Sequence, residues 1–160
     1  MPEDYDGYCS VREALPGINI AGGEAEWTRF GHRELLTRRC VDILQPEVAA
    51  TGGISEFMRI LSMAHAFGTP VMPHVWGSDV LIAVDTHLVS VIPDIPGGLH
   101  QFEPMLEYDT TPNLFHERLL AEPLGIREQV KSNGGCVRPP QGPGIGVELN
   151  EDFIRKYRVA

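Results

Sequence analysis

The chain has 160 residues, of which 42% are hydrophobic and 22% are charged, a composition typical of one folded domain with a hydrophobic core. That composition excludes a disordered chain. The 22 acidic and 13 basic side chains give a net charge of −9, so we expect neither nucleic acid nor an anionic membrane surface as a partner. The longest unbroken apolar run, Val80–Val84, is too short to span a membrane.

The cysteines and the amino-terminal residues indicate the compartment. Cys9, Cys40 and Cys136 are odd in number, widely spaced and outside any CxxC motif. This usage argues against a structural zinc ion and against a disulfide framework. The first residues are acidic rather than basic and then apolar, so we expect no secretory signal. Together these features predict a protein of the reducing cytoplasm.

Segments with the apolar spacing of a helix alternate with short apolar runs that have the length of a strand. The clearest helix covers 54–67, where Phe57, Ile60, Leu61 and Ala64 recur at helical spacing. Proline and glycine residues separate the segments. In chain order, the predicted elements are a helix at 5–15, a strand at 17–21, a helix at 27–39, a strand at 41–45, a helix at 54–67, a strand at 70–74, a helix at 78–92 and a strand at 104–109. Residues 78–92 are apolar on nearly all sides and could be a strand or a buried helix, and their length favours the helix.

The composition changes beyond about Asn113. Glycine and proline become frequent there, and the last predicted element is a short amphipathic helix at 152–158. We therefore divide the chain into a domain of strands and helices, residues 1–129, and an irregular tail with that short helix, residues 130–160.

Strands that are separated by helices cannot pair as hairpins, so the alternation predicts an α/β fold with a parallel sheet and right-handed crossovers. A barrel and an open, doubly wound sheet both fit this order, and both place ligands at the carboxyl ends of the strands. An ionisable side chain follows or lies in the last part of each predicted strand, namely Glu24, Glu47, His74 and Glu107. The sequence therefore predicts a shared polar site at one rim of the sheet.

Several short motifs at and around these strand ends form a recognisable set. They are Gly22-Gly23-Glu24, Asp42-Ile43-Leu44-Gln45-Pro46-Glu47, Gly52-Gly53-Ile54, Pro73-His74-Val75-Trp76-Gly77, Leu106-Glu107-Tyr108-Asp109 and Gly142-Pro143-Gly144-Ile145-Gly146-Val147-Glu148. With this set the chain resembles the carboxyl-terminal half of an enolase-superfamily enzyme of the mandelate racemase/muconate lactonizing enzyme type, in the acid-sugar dehydratase branch. The resemblance implies a partial (β/α)8 barrel of the TIM type, with roughly its last four strand–helix units and a carboxyl-terminal tail.

The resemblance also implies a role for each of the four side chains at the strand ends. Glu24 is similar to the last of three carboxylate ligands of an essential Mg²⁺ ion. His74 is similar to the catalytic imidazole, a general base or acid at the carbon next to a substrate carboxylate. Glu47 takes the place of the carboxylate that orients this imidazole, although the family usually has Asp there. Glu107 is similar to the acid that hydrogen-bonds the substrate carboxylate as it becomes an enediolate.

The implied reaction removes the proton next to the carboxylate of a small hydroxy-carboxylate or sugar acid. Loss of a β-hydroxyl would make the enzyme a Mg²⁺-dependent dehydratase, whereas a racemase or cycloisomerase would use the same intermediate. The family's lysine base and other two metal ligands lie on strands that precede those found here. We therefore expect the chain alone to bind Mg²⁺ weakly, to be nearly inactive, and to form a homo-oligomer or pair with a missing amino-terminal half. The alternative of a different class is a non-catalytic remnant or interaction module.

Each of these residues also has a simpler interpretation. The simpler roles are a buried structural histidine for His74, a solvated loop carboxylate for Glu24, a charge at a helix start for Glu47 and a surface charge for Glu107. The strand-end positions favour the functional interpretations, except that Glu24 is favoured as a metal ligand only in a complete enzyme and not in this chain alone.

Two further patterns in the sequence point to other sites or folds. His116-Glu117 begins like the zinc motif HExxH, but position 120 is leucine, so no zinc-protease site is predicted. A flavodoxin-like open sheet is an alternative fold, although no phosphate-binding loop follows its first strand.

Overall fold

The computed structural model describes residues 3–93 and 103–159. Short parallel strands and helices follow one another in its first part, and helices predominate in its second. Within the described residues, no helix combines the length and the apolar character needed to span a membrane. The elements are α1 (Tyr5–Ala14), β1 (Ala21–Gly22), α2 (Thr28–Thr37), β2 (Ile43–Leu44), α3 (Val48–Thr51), α4 (Ile54–Ala66), α5 (Asp79–Ser90), α6 (Leu114–Arg118), α7 (Ile126–Ser132) and α8 (Glu151–Tyr157).

The chain divides into two compact units. Of the described residues, the first comprises 3–74, 92–93 and 103–107, and the second comprises 75–91 and 108–159. The first unit therefore contains both strands and helices α1 to α4, while the second contains α5 to α8.

The sheet of the first unit is small and parallel. β1 pairs with β2 over two residue pairs, Ala21 with Ile43 and Gly22 with Leu44. On the other side of β2, Val71 forms a single parallel bridge with Leu44. Because each strand is followed by at least one helix before the next, the parallel order agrees with the one predicted from the alternation.

The strands are shorter than predicted, and the fourth is absent. Of the strand predicted at 17–21, only Ala21 lies in β1, which continues to Gly22. The strand predicted at 41–45 is reduced to β2, and 70–74 contributes one bridge. The prediction of a strand at 104–109 is wrong, because these residues have neither helix nor strand. Strand propensity alone does not form a strand without a paired neighbour, and Pro104 has no N–H to donate. The described residues thus form a partial α/β fold with no closed barrel.

Helices α2 and α4 pack against each other and supply much of the core of the first unit. In α4, Phe57 and Ile60 are fully buried, and Leu35 of α2 is 1% exposed. The helical spacing of these apolar residues explains why one face of each helix is buried. Gly52, with a φ of 115°, ends α3 in the left-handed conformation and allows α4 to begin two residues later.

Helix α1 contributes no buried residue and is held to the first unit by polar contacts. Nη2 of Arg12 lies 2.7 Å from Oδ1 of Asp42, the residue before β2. Oδ2 of Asp42 accepts a hydrogen bond from the backbone N–H of Ile20 at 2.9 Å. The hydrogen bond from Arg12, helped by the one from Ile20, holds the pKa of Asp42 below its usual value despite its partial burial.

We expect Asp42→Asn to lower the free energy of unfolding by about 1 kcal/mol at neutral pH, because its charge-assisted hydrogen bonds are partly exposed to solvent. The pKa of Asp42 is lowered in the folded state, so its stabilising effect is present above the unfolded-state pKa of about 3.9 and is lost as the pH falls through the folded-state pKa. In urea unfolding, the difference between Asp42→Asn and the unmodified chain should therefore shrink between about pH 5 and pH 3.

The matched control for this prediction is Asp6→Asn. Asp6 also faces an arginine of the first unit, but its side chain is 93% exposed. We expect this variant to change the free energy of unfolding by less than about 0.5 kcal/mol. An equal loss of stability in the two variants would contradict the role given to Asp42.

The second unit is built from helices and irregular segments. An antiparallel bridge joins Leu120 to Leu149. The rings of Phe115 in α6 and of Phe153 and Tyr157 in α8 form a cluster whose centroids lie 4.7 to 6.2 Å apart. This cluster packs α8 against α6 and gives the amphipathic helix at the end of the chain an apolar partner.

All five predicted helices are confirmed, as α1, α2, α4, α5 and α8. Helices α3, α6 and α7 were not predicted; the first two follow the cap residues Glu47 and Asn113. These helices have only four to seven residues, too few for an apolar periodicity to be visible in the sequence. The division of the chain at residues 129 and 130 stays a prediction.

Candidate functional site

The carboxyl ends of two neighbouring parallel segments bring Glu47 and His74 together in the first unit. Leu44 and Val71 are partners in the sheet, and each functional side chain follows three residues later. The pairing continues beyond the bridge, because the backbone N–H of His74 donates to the carbonyl of Pro46 at 3.3 Å. The sheet thus places both side chains at the same level of its carboxyl edge.

The two side chains are in direct contact. Nδ1 of His74 lies 3.1 Å from Oε2 of Glu47, and their side chains are 27% and 10% exposed. The extra methylene of glutamate, where the resembled family usually has aspartate, therefore does not prevent the pairing. The catalytic roles of both residues stay predictions.

Glu47 uses its two carboxylate oxygens for different partners. While Oε2 contacts His74, Oε1 accepts a hydrogen bond from the backbone N–H of Ala49 at 3.1 Å and caps α3. The side chain of Glu47 thus does two things at once: it caps the start of a helix, and it contacts the imidazole of His74. The cap also restricts the rotation of the carboxylate, so the oxygen that faces His74 is held in place.

The contact fixes which nitrogen of His74 is available for chemistry. An ionised carboxylate can only accept a hydrogen bond, so Nδ1 of His74 carries the hydrogen in the neutral imidazole. Nε2 then keeps the free lone pair of a base. A carboxylate behind the imidazole also stabilises the imidazolium that forms when Nε2 accepts a proton. The pair can therefore take up and return one proton at Nε2.

Glu24 lies two residues beyond β1, at the same edge of the sheet, and is exposed. Helix α1 covers this strand end, because a Cβ atom added to Gly22 would lie 3.1 Å from the ring of Tyr8. Burial raises the pKa of Tyr8, and the negative charge of Glu24 raises it further. Glu24 therefore lies in the neighbourhood of the Tyr8 phenol.

Glu107 is not at a strand end, because its segment forms no strand. Its side chain is exposed, in an irregular stretch of the chain. The prediction that a fourth strand delivers Glu107 to the rim is therefore wrong, and its role toward a substrate carboxylate stays a prediction.

The described residues contain no group of three His, Cys, Asp or Glu side chains that could hold a metal ion. Mg²⁺ prefers octahedral oxygen ligands and keeps its waters unless several protein oxygens replace them. One exposed carboxylate, Glu24, does not meet that requirement. The donor set of the described chain therefore does not fit a resident Mg²⁺ ion, and Glu24 as one of several ligands stays a prediction.

The second unit contains another carboxylate–imidazole pair, which the sequence did not reveal. Nδ1 of His116 lies 3.1 Å from Oδ1 of Asp79, with side chains that are 9% and 5% exposed. Burial raises the pKa of Asp79, and the hydrogen bond from His116 opposes that shift. The pair joins α5 to α6, so we assign it to the packing of these helices. The two residues are 37 positions apart and share no motif that could have indicated the contact.

Comparison with known proteins gives closely related sequences and folds. A D-galactarolactone cycloisomerase from Agrobacterium fabrum (strain C58 / ATCC 33970) is 37% identical over 159 residues, which is 99% of this chain and 40% of that protein. The crystal structure of the 3,6-anhydro-D-galactonate cycloisomerase from Zobellia galactanivorans matches with a TM-score of 0.80 and 30% identity, over 100% of this chain and 41% of that one.

A proposed mandelate racemase from Bordetella bronchiseptica RB50, solved as a complex with 2-oxoglutarate/phosphate, matches with a TM-score of 0.82 and 28% identity, over 100% of this chain and 39% of that one. Another similar structure is a proposed dehydratase from Mesorhizobium loti. The chain thus spans about 40% of the length of these relatives. The sequence pattern of the family described as Enolase C-terminal domain-like matches residues 1–153. With its parallel strands and paired Glu47 and His74, this chain belongs to the Enolase C-terminal domain-like family.

Proposed function

We propose that this chain supplies the acid–base part of an active site that moves a proton at the carbon next to a carboxylate. The observation that carries the proposal is the 3.1 Å contact between Nδ1 of His74 and Oε2 of Glu47 at the carboxyl edge of the parallel sheet. Ligands bind at this edge in parallel α/β folds. Membership in the enolase superfamily supports the same chemistry.

The physical requirements of the reaction match this pair. The proton next to a carboxylate is weakly acidic, so its removal needs a base whose pKa lies near the working pH and whose position is fixed. Nε2 of His74 would accept that proton, while Glu47 would stabilise the imidazolium through Nδ1. Enolase-superfamily enzymes generally use Mg²⁺ to stabilise the enediolate. Since the described residues do not fit that ion by themselves, Glu24 would require further ligands from another segment.

We propose a sugar acid or its lactone as the substrate, and loss of a β-oxygen as the step after proton removal. The α C–H and β C–O bonds break, a C=C bond forms, and a protonated acid delivers a proton to the departing oxygen. When the oxygen belongs to a ring, it stays in the product and the reaction is a cycloisomerisation. When it is a free hydroxyl, it leaves as water and the resulting enol becomes a 2-keto acid.

The names of the relatives favour cycloisomerisation as the first candidate. The proteins with 37% and 30% identity are both named as cycloisomerases of compounds derived from galactose acids. Dehydration, the outcome expected from the sequence, is the second candidate, and the proposed dehydratase from Mesorhizobium loti supports it. Both candidates share the proton transfer that we assign to His74.

A hybrid protein tests this function. In it, the chain replaces the matching 159 residues of the Agrobacterium fabrum enzyme, so that the remaining part of the site comes from that relative. The hybrid is incubated in D₂O with D-galactarolactone and Mg²⁺. We expect deuterium in two places, which NMR and mass spectrometry detect. Recovered substrate carries it at the carbon next to the carboxylate, and the product, whose α-carbon has become a keto carbon, carries it at the neighbouring carbon that held the departing oxygen.

The product distinguishes the candidates. In a parallel reaction in H₂O, an isomer with the mass of the substrate supports cycloisomerisation, and loss of one water supports dehydration. Exchange with inversion alone would identify a racemase, which keeps the proton transfer and contradicts the β-elimination. A hybrid that folds, by circular dichroism and urea unfolding, and incorporates no deuterium would overturn the proposed function and favour a non-catalytic module.

A further inference from the structure

Two cysteines that lie far apart in the sequence are in contact in the first unit. Sγ of Cys9, in α1, is 3.3 Å from Sγ of Cys40, which lies between α2 and β2. Both are free thiols. The contact joins positions that are 31 residues apart, and nothing in the proposed acid–base chemistry uses it.

The surroundings hold the two thiols face to face. The thiol of Cys9 also contacts the carbonyl oxygen of Arg38 at 3.4 Å, and the thiol of Cys40 contacts that of Tyr5 at the same distance. Each sulfur is thus held by a backbone carbonyl from the segment of the other cysteine and by the other sulfur. Cys40 is fully buried, whereas Cys9 is partly exposed, so a reagent in solution can reach only one of them directly.

We propose that Cys9 and Cys40 form a reversible intramolecular disulfide in exchange with a small disulfide of the glutathione type, and that this bond ties α1 to the chain entering β2. Disulfides of this kind are redox-responsive rather than permanent in a reducing compartment. The site differs from the lone thiol of Cys136, which is exposed and has no cysteine partner.

The exchange proceeds in two balanced steps. The Cys9 thiolate attacks one sulfur of oxidised glutathione, the S–S bond of that reagent breaks, and one glutathione thiolate leaves and takes up a proton. The Cys40 thiolate then attacks the Cys9 sulfur of the mixed disulfide, and the second glutathione leaves as a thiol. The two protein thiols lose two electrons and two protons, and one glutathione disulfide is reduced to two thiols.

The order of the steps follows from the environments of the two thiols. Burial, and after it the hydrogen bond to Cys9 and the charge of Cys9, raises the pKa of the Cys40 thiol to about 12. Cys40 is therefore a poor first nucleophile, and the partly exposed Cys9 reacts first. Once Cys9 is part of a mixed disulfide, its contribution to that raised pKa is removed. Cys40 then becomes a better nucleophile for the closing step.

The bond would act on the strand end next to Glu24. Helix α1 has no buried residue and relies on polar contacts such as the one between Arg12 and Asp42. Tyr8 precedes Cys9 and its ring covers Gly22, the last residue of β1. A covalent tether at Cys9 therefore holds Tyr8 over this strand end.

The test uses the complete 160-residue chain with Cys136→Ser, which removes the thiol that would join two molecules. The protein is treated with oxidised glutathione, and free thiols are counted by alkylation and mass spectrometry. We expect both remaining thiols to resist alkylation, the mass to fall by two hydrogen atoms, and one tryptic cross-link between Cys9 and Cys40. The melting temperature should rise by about 10 °C, because the bond closes a loop of about 30 residues, and reductant should reverse the rise.

The matched control adds Cys9→Ser to the same protein. Its melting temperature should be unchanged by oxidised glutathione, and the buried Cys40 should remain a free thiol. Two free thiols in the native Cys136→Ser protein after treatment, or a reaction that stops with one bound glutathione, would overturn the proposal. A cross-linked protein with an unchanged melting temperature would contradict the tether.

Discussion

Replacing His74 by asparagine in the hybrid protein is expected to lower the rate of deuterium exchange next to the carboxylate by about 10³-fold. Asparagine approximates the size and hydrogen bonding of the part of the imidazole that contains Nδ1. It has no group, however, that accepts and returns a proton near neutral pH. The contact with Oε2 of Glu47 can be kept by the side-chain amide. The loss should therefore appear in kcat, with a small change in KM.

Glu47 acts through His74, so its variants separate positioning from structure. In Glu47→Gln the amide oxygen can still cap α3 through Ala49, but the amide NH₂ cannot accept the hydrogen of Nδ1. We expect kcat to fall by about 10²-fold with KM and the free energy of unfolding nearly unchanged. Glu47→Asp keeps the carboxylate and should retain activity within about tenfold of the unmodified hybrid.

The control for both variants is His65→Asn, which changes another histidine of the first unit, in α4. We expect its exchange rate and stability to match those of the unmodified hybrid. Equal exchange rates for His74→Asn and His65→Asn would show that His74 does not take part in the proton transfer. A Glu47→Gln variant that is destabilised but as active as its parent would limit Glu47 to capping α3.

The site was predictable where the sheet alone determines the arrangement. Neighbouring parallel strands end at one edge, and Glu47 and His74 each follow a sheet residue by the same number of positions. Their contact therefore follows from the order of strands and helices. The same reasoning placed Glu107 at a strand end wrongly, because its segment has no strand partner in the described chain. The sequence supplies the residues of a strand but not the neighbour that gives it hydrogen bonds.

Contacts between distant segments were not predictable in the same way. In the sequence, Cys9 and Cys40 are widely spaced cysteines without a shared motif, and His116 belongs to an incomplete HExxH pattern. In the structure Cys9 contacts Cys40, and His116 pairs with Asp79, over separations of 31 and 37 residues. No local spacing encodes these separations, because they depend on how α1 and α6 dock on their own units. The long helices were predictable for the opposite reason, since their apolar periodicity is local.

The largest expected loss of stability comes from Phe57, whose helix was the clearest element of the sequence. Phe57 in α4 is fully buried, and α4 packs against α2. We expect Phe57→Ala to lower the free energy of unfolding by about 3–5 kcal/mol, because it removes buried apolar surface and leaves a cavity. This is a large part of the roughly 5–15 kcal/mol that stabilises a typical domain. Urea unfolding at 25 °C, followed by far-UV circular dichroism, measures the change.

Met58 provides the matched control, because it is the next residue of the same helix and its side chain is 37% exposed. Met58→Ala should cost less than about 1 kcal/mol. If Phe57→Ala does not fold, Phe57→Leu still tests the packing, with an expected loss of about 1–2 kcal/mol. Because α4 contacts α3, which Glu47 caps, this core also supports the carboxylate that faces His74. Equal losses for Phe57→Leu and Met58→Ala would mean that the packing around the buried Phe57 does not determine the stability of the first unit.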